Sequence, residues 1–395
     1  MLRLLRNARV YAPEPLGLRD LLVADGRIIA LGERLPALPA GLPVDEDDLG
    51  GDALIPGLLD AHVHLIGGGG EAGPATRVPP VQLTDLTLAG ITAVVGVLGT
   101  DGTTRTVADL VARALGLRDE GLSAYCYTGA YEVPVPTLTG SVRRDIVYVD
   151  PIIGVGELAI SDHRSSQPTF AEFLRIASDA HVAGLMSGKA GLLHLHLGDG
   201  PRGLDLVRRA LDETELPPRV VHPTHNNRQR RLYDEALDLA RRGCTVDVTA
   251  FPDEDPGDGL HPVEAIARYL REGLPPARLT CSSDGAGCMP VFGEGGRVVA
   301  MDVGRATTLL ATLRGLLADG LALAEVLPVF TRNVADLLRL PRKGRIAVGA
   351  DADLAVLAPD GALRALMARG RWLVQDGAPV VTGPFESRGS ACQPK

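Results

Sequence analysis

The sequence predicts an α/β fold: a (β/α)8 barrel of the TIM type carrying a small β-sandwich domain formed by both chain termini. Three observations predict it. Between residues 56 and 340, eight apolar runs of strand length alternate with helical stretches, the pattern of βα units around a parallel sheet. Residues 1–55 and 341–395 instead hold short strand-like runs and turns, without helix-length amphipathic patterns. The residues able to do chemistry fall at the C-terminal ends of the central runs, where such a barrel builds its active site.

In chain order, LRLLRNARVY, RDLLVADGRIIALGE with its DG turn, and DALIPG read as the first half of the small domain. The eight central runs are LLDAHVHL (58–65), ITAVVGVLGTD (91–101), SAYCYTGAYE (123–132), IIGVGELAISD (152–162), GLLHLHLGD (191–199), RVVHPTHNN (219–227), TVDVTAFPDE (245–254) and ARLTCSSDGAG (277–287). FAEFLRIASDAHVAGLM, GLDLVRRALDE, RLYDEALDLARRG and PVEAIARYLREG supply helices between them. VPVPTLTGSVRRDIVYVDP, between the third and fourth runs, reads as extra strands or an extended arm, and GGGG at 67–70 as a flexible loop. KGRIAVGADADLAVLAPDG, RALMARGRWLVQDG and APVVTG complete the small domain.

Composition narrows the class. At 395 residues, 45% hydrophobic and 23% charged, the chain is of globular type, long enough for one large domain and one small one. A net charge of −9 with no Lys/Arg run argues against nucleic acid or an anionic membrane surface as partner. No apolar run is long enough to span a bilayer, and the N-terminus lacks the apolar core of a signal peptide. Cys126, Cys244, Cys281, Cys288 and Cys392 form no CxxC pair, which fits a reducing cytoplasm. Lysine is scarce: only Lys189, Lys343 and Lys395 among 40 Lys+Arg.

A single histidine on an apolar strand is more often a hydrogen-bonded core residue than a ligand. Here, however, His62 and His64 close the first run, Glu157 lies in the fourth, His196 closes the fifth, His225 ends the sixth and Asp284 ends the eighth. In a strand, residues two apart share a face, so His62 and His64 can reach one metal. Four histidines and two carboxylates on five strands of one barrel predict a metal centre. Nitrogen and oxygen donors without thiolate fit Zn²⁺, and two ions would use all six ligands. The alternative is a one-metal site with Glu157 outside the coordination. His194 and His222 read as structural or supporting residues; His163, His181 and His261 carry no expected metal role.

These residues resemble the amidohydrolase superfamily: HxH on the first strand, single histidines on the fifth and sixth, an Asp on the eighth, and GADADLAVL near the C-terminus. More narrowly, HVHLIGGGGEAG, VGVLGTDGTTR, TGAYEVP, AISDHRS, HLGD, PTHNNR and SSDGAG together are similar to bacterial isoaspartyl dipeptidases. The resemblance implies that His62, His64 and Asp284 hold one metal and His196 and His225 a second. It places Glu71 on the substrate α-ammonium, Arg164 and Arg228 on carboxylate, Thr100 and backbone at Gly69 as further hydrogen-bonding groups, and Tyr131 on the scissile carbonyl. Two departures stand out. A carboxylated lysine bridges the metals in many family members, and here Glu157 takes that position, with one extra residue near Gly154–Gly156. Cys288 stands where a substrate-contacting serine is expected.

The implied reaction is metal-dependent hydrolysis of the β-aspartyl amide of a dipeptide, by a hydroxide held on two Zn²⁺ per subunit, with Asp284 as general base then acid. The alternative activity is that of another amidohydrolase, an N-acyl-amino-acid deacylase or a cyclic-amide hydrolase. The resemblance further implies a homo-oligomer, an octamer in particular.

Overall fold

The structure is a computed structural model that describes residues 2–39, 41–252, 257–292 and 298–386. Each of the eight central runs contains a strand: Leu58–Val63, Ile91–Gly96, Ser123–Thr128, Ile152–Ile160, Leu193–Leu197, Val221–Thr224, Val246–Thr249 and Leu279–Ser282. All but one of their residues are buried, which is why these segments read as continuous apolar runs rather than alternating ones. The first six form one parallel sheet in chain order, and the last two form a separate parallel pair. That pair meets both ends of the larger sheet. His64 N donates to Gly285 O at 2.8 Å on one side, and Thr224 Oγ1 donates to Asp247 Oδ2 at 2.7 Å on the other. The result is a curled parallel sheet consistent with a TIM-like barrel.

The outer helices follow their sequence signals. Phe170–Ser187 begins at a reciprocal cap in which Thr169 Oγ1 accepts from Glu172 N and the Glu172 carboxylate accepts from Thr169 N, and it ends at Gly188 in the left-handed region. Asp205–Glu213, Arg230–Arg241 and Pro262–Arg271 match the other helical patterns. The connection between the third and fourth strands differs from expectation, since it contains the helix Val142–Tyr148. Ser141 caps it, and Val142 and Ile146, one turn apart, are buried. Its β-branched residues suggested strands, but burial on one helical face outweighs that weak propensity.

Both chain ends meet in a nine-stranded sheet. Leu354–Leu357 runs antiparallel to Ala53–Pro56 with Ala355 opposite Ile55, joining the C-terminal strands to those at 2–11, 15–24, 27–32 and 44–48. The sheet wraps its own apolar cluster, which includes Leu5, Val23, Ile28, Leu354, Met367 and Trp372. Lys343 ties it to the barrel: its buried ammonium donates to Ser123 Oγ at 2.6 Å on the third barrel strand and to Asp353 at 2.5 Å. Lys189 is likewise committed, donating to the carbonyls of Val149 and Ile152. Cys392 and Lys395 lie outside the described residues.

Candidate active site

Glu157 occupies its position through a local irregularity in the fourth strand. Leu193 pairs with Val155, but Leu195 pairs with Leu158, so the fourth strand spends one more residue than its neighbour over the same rise. This is a β-bulge, a device that re-aims a side chain. The extra residue expected near Gly154–Gly156 therefore lies at Gly156–Glu157, inside the strand.

The bulge delivers the Glu157 carboxylate, fully buried, into a ring of histidines. Its Oε2 lies 3.3 Å from His196 Nδ1, 3.6 Å from His62 Nε2 and 3.9 Å from His225 Nε2, while Oε1 lies 3.6 Å from His64 Nε2. Asp284 Oδ1 sits 3.3 Å from His62 Nε2 and 3.2 Å from His64 Nε2. Two overlapping donor sets have metal-binding dimensions, His62–His64–Asp284 and His62–Glu157–His225. All six expected ligands thus converge.

Electrostatics mark the cluster as incomplete by protein atoms alone. Both Glu157 oxygens, His62 Nε2 and Asp284 Oδ1 are buried without a hydrogen-bond partner. Leaving one such group unpaired costs about 1–3 kcal/mol, and several facing one another call for a cation. The residues present therefore fit a metal centre. Burial alone would lower the His62 pKa, yet the charges of Glu157 and Asp284 raise it to about 9. Burial would raise Asp284, but its contacts with His62 and His64 hold it well below the usual carboxylate range. His225 is pushed well down by burial and by His196.

Above the cluster lies a cavity of about 570 Å³ lined by His64, Gly69, Glu71, Thr100, Tyr131, Arg164, His196, His225, Arg228, Asp284 and Cys288. Every expected site residue lines it except His62 and Glu157, which form its buried floor. Tyr131 Oη is 2.6 Å from His196 Nδ1. Glu71 Oε1 accepts from Thr100 Oγ1 at 2.8 Å and pairs with Arg164 Nη1 at 3.3 Å. Arg228 Nη1 lies 3.4 Å from His196 Nε2. Burial, reinforced by the charge of Glu71, pushes the Cys288 thiol up to about 11, so it faces the cavity as a neutral group. Phe251, Pro252, Leu260 and Met289 give another part of the wall apolar character.

Two residues were not singled out by the sequence. Asp162 grips Arg164 with both oxygens, at 3.0 Å to Nε and 2.8 Å to Nη2, and lies 3.1 Å from His196 Nε2. It stands two before Arg164 in SDHR and closes the fourth apolar run, the same strand-end signal that marks His196 and Asp284. Arg105, almost fully buried, donates to the carbonyls of Gly68 at 2.8 Å and Gly69 at 2.9 Å. The glycine run is therefore not the flexible loop its composition suggests; Gly67, Gly68 and Gly69 are buried and bonded. Glycine is required there because a Cβ at Gly67 would lie 1.8 Å from Val78 O.

The whole chain can be set beside solved structures. The beta-aspartyl dipeptidase of Fervidobacterium islandicum AW-1, solved in complex with beta-Asp-Leu dipeptide, superimposes with a TM-score of 0.90 at 42% identity, over 96% of this chain and 98% of that one. The chain belongs to the beta-aspartyl dipeptidase family. A second structure of that enzyme gives 0.89 at 41% identity, with the same coverage. The dihydropyrimidinase of Brevibacillus agri, 16% identical with a TM-score of 0.66 over 97% of each chain, shares the fold. The Amidohydrolase family model matches residues 193–373. The imidazolonepropionase of Desulfotalea psychrophila is 36% identical over 81 residues, 16% of this chain and 20% of that protein. As a beta-aspartyl dipeptidase relative within the amidohydrolases, the chain is a hydrolase. No helix among the described residues is long and apolar enough to cross a membrane.

Proposed function

We propose that the chain hydrolyses the β-aspartyl amide bond of dipeptides at a two-metal centre. The observation that supports this reading is one cavity that joins the cluster of His62, His64, Glu157, His196, His225 and Asp284 to a Glu71–Arg164 pair in its wall. A β-linked aspartyl group keeps a free α-ammonium and a free α-carboxylate, and an acid beside a guanidinium reads such a zwitterion.

In this reading His62, His64 and Asp284 would hold one metal and His196 and His225 the other, with Glu157 as the ligand they would share in place of a carboxylated lysine. Bound metal supplies Lewis acidity, lowering the pKa of water to about 7 and polarising the scissile carbonyl; Zn²⁺ suits the nitrogen and oxygen donors. Asp284 takes the proton of the attacking water and passes it to the leaving amine. Tyr131 donates its phenolic proton to the carbonyl oxygen as negative charge develops there. Burial and the nearby Glu157 keep that phenol protonated, well above its usual pKa. Glu71 receives the α-ammonium, and Arg164 and Arg228 receive the α-carboxylate. Thr100 and the Gly69 backbone, fixed by Arg105, add hydrogen bonds, with Cys288 beside them. The apolar wall at Phe251 and Leu260 receives the leaving residue.

The same reading assigns residues 56–340 to the barrel and 1–55 with 341–395 to a β-sandwich domain, and takes the enzyme as a cytoplasmic homo-oligomer, octameric by resemblance. Rates on β-Asp-Leu, α-Asp-Leu and N-acetyl-leucine test the activity. Kcat/KM is expected to favour β-Asp-Leu over both by about 10–100-fold, the range lost when a charged hydrogen bond is unmade. Preference for the acylated compound would replace the proposal with an N-acyl-amino-acid deacylase.

A further inference from the structure

Beneath the cavity floor, four barrel strands bring polar side chains into one continuous line that reaches His62. His62 Nδ1 lies 2.7 Å from His194 Nε2, and His194 Nδ1 lies 2.9 Å from His222 Nδ1. His222 Nε2 lies 3.2 Å from Thr280 Oγ1, which donates to Asp247 Oδ1 at 2.6 Å. Strand register builds the line: His194 is opposite His222, and Asp247 is opposite Thr280. Every member is buried.

The line has a direction. Asp247 is a carboxylate that also accepts from Thr224 Oγ1 at 2.7 Å and from Ser282 Oγ at 2.5 Å, so its oxygens act as acceptors throughout. The single hydroxyl proton of Thr280 is committed to Asp247 by the shorter contact. Thr280 Oγ1 therefore accepts from His222, which must carry its proton on Nε2 and offer a lone pair at Nδ1. His194 then donates from Nδ1 and offers Nε2, and His62 donates from Nδ1. That leaves Nε2 of His62, which faces Glu157 and Asp284, as the nitrogen free to coordinate a cation.

We propose that Asp247, acting through Thr280, His222 and His194, fixes His62 in its Nδ1–H tautomer and so pre-sets Nε2 as a metal ligand. Asp247, Thr280, His222 and His194 are positioning residues; none touches the cavity. The proposal rests on His62 being a ligand, and turnover of β-Asp-Leu by the unaltered enzyme reports on that reading separately. Outer partners of ligating histidines typically change metal affinity by about 10–100-fold when removed.

The test combines ¹⁵N NMR of histidine-labelled protein with Zn²⁺ binding measured against a competing chelator. In the unaltered protein the imidazole shifts are expected to show His194 protonated on Nδ1 and His222 on Nε2. Thr280→Val, which keeps the shape and removes the hydroxyl, is expected to lose that defined tautomer at His222 and to weaken Zn²⁺ binding by about 10–100-fold, while Thr280→Ser restores both. Opposite tautomers at His194 or His222 in the unaltered protein would overturn the proposal, even if Thr280→Val failed to fold. Zn²⁺ affinity unchanged in a folded Thr280→Val protein would overturn it as well.

Discussion

Gly156 packs against His194 so closely that a Cβ added to it would lie 2.7 Å from both the Cβ and the carbonyl oxygen of His194. This contact is where the bulged fourth strand passes the fifth, one residue before Glu157 turns inward. Gly156→Ala should force the two strands apart, destabilising the protein by about 1–3 kcal/mol as overpacking does and lowering bound Zn²⁺ per subunit. Chemical denaturation together with elemental analysis checks both, and unchanged values would show that the bulge does not set the position of Glu157.

Asp284→Asn removes the proposed proton carrier while keeping an oxygen near His62 and His64. Kcat on β-Asp-Leu should fall by about 10²–10⁴-fold, the usual worth of a general acid–base group, with most metal retained. Near-normal kcat in a protein with full metal would assign the proton transfer elsewhere.

Glu71→Gln addresses recognition of the free amine. KM for β-Asp-Leu should rise by about 10–100-fold, as expected when a charge-assisted hydrogen bond is lost. Succinyl-leucine, the same substrate without its α-amine, should be hydrolysed equally by both proteins. Equal sensitivity of the two substrates would move the ammonium site away from Glu71.

Asp162 links the cavity-lining Arg164 to His196. Burial alone would raise its pKa, but its bonds to His196 and Arg164 hold it well below the usual carboxylate range. A group whose folded pKa is depressed contributes stability above its unfolded value, about 3.9, and loses it as the pH falls through the folded one. Asp162→Asn should therefore be less stable than the parent at pH 7, and the difference should shrink below about pH 4. Denaturation of both proteins at pH 7 and pH 3 checks the sign; a gap that widens in acid would contradict it.

The strand order and the gathering of His62, His64, Glu157, His196, His225 and Asp284 were legible because they rest on short-range rules. Apolar runs bounded by helices gave each barrel strand, and residue position at a strand end gave His62, His64, His196, His225 and Asp284. What escaped the sequence depends on contacts between distant segments. Arg105 looks like any surface arginine until the chain brings Gly68 and Gly69 to it, some 36 residues away. Asp162 looks like a turn residue until Arg164 and His196 close on it. The helix at 142–148 was hidden because its Val and Ile content favours strands, and only its burial face shows which way packing decided. His194 and His222 read as structural or supporting residues, and their order in a line appears only from the register that sets them opposite one another.

The geometry of the proposed metal centre depends on Glu157, which in the proposed reading replaces a longer carboxylated lysine. The most direct measurement is a crystal structure of the Zn²⁺-loaded protein with anomalous scattering at the zinc edge. Two peaks, one on each side of the Glu157 carboxylate and each bonded to one of its oxygens, are the predicted result. A single peak, or a Glu157 carboxylate turned away from both, would contradict it.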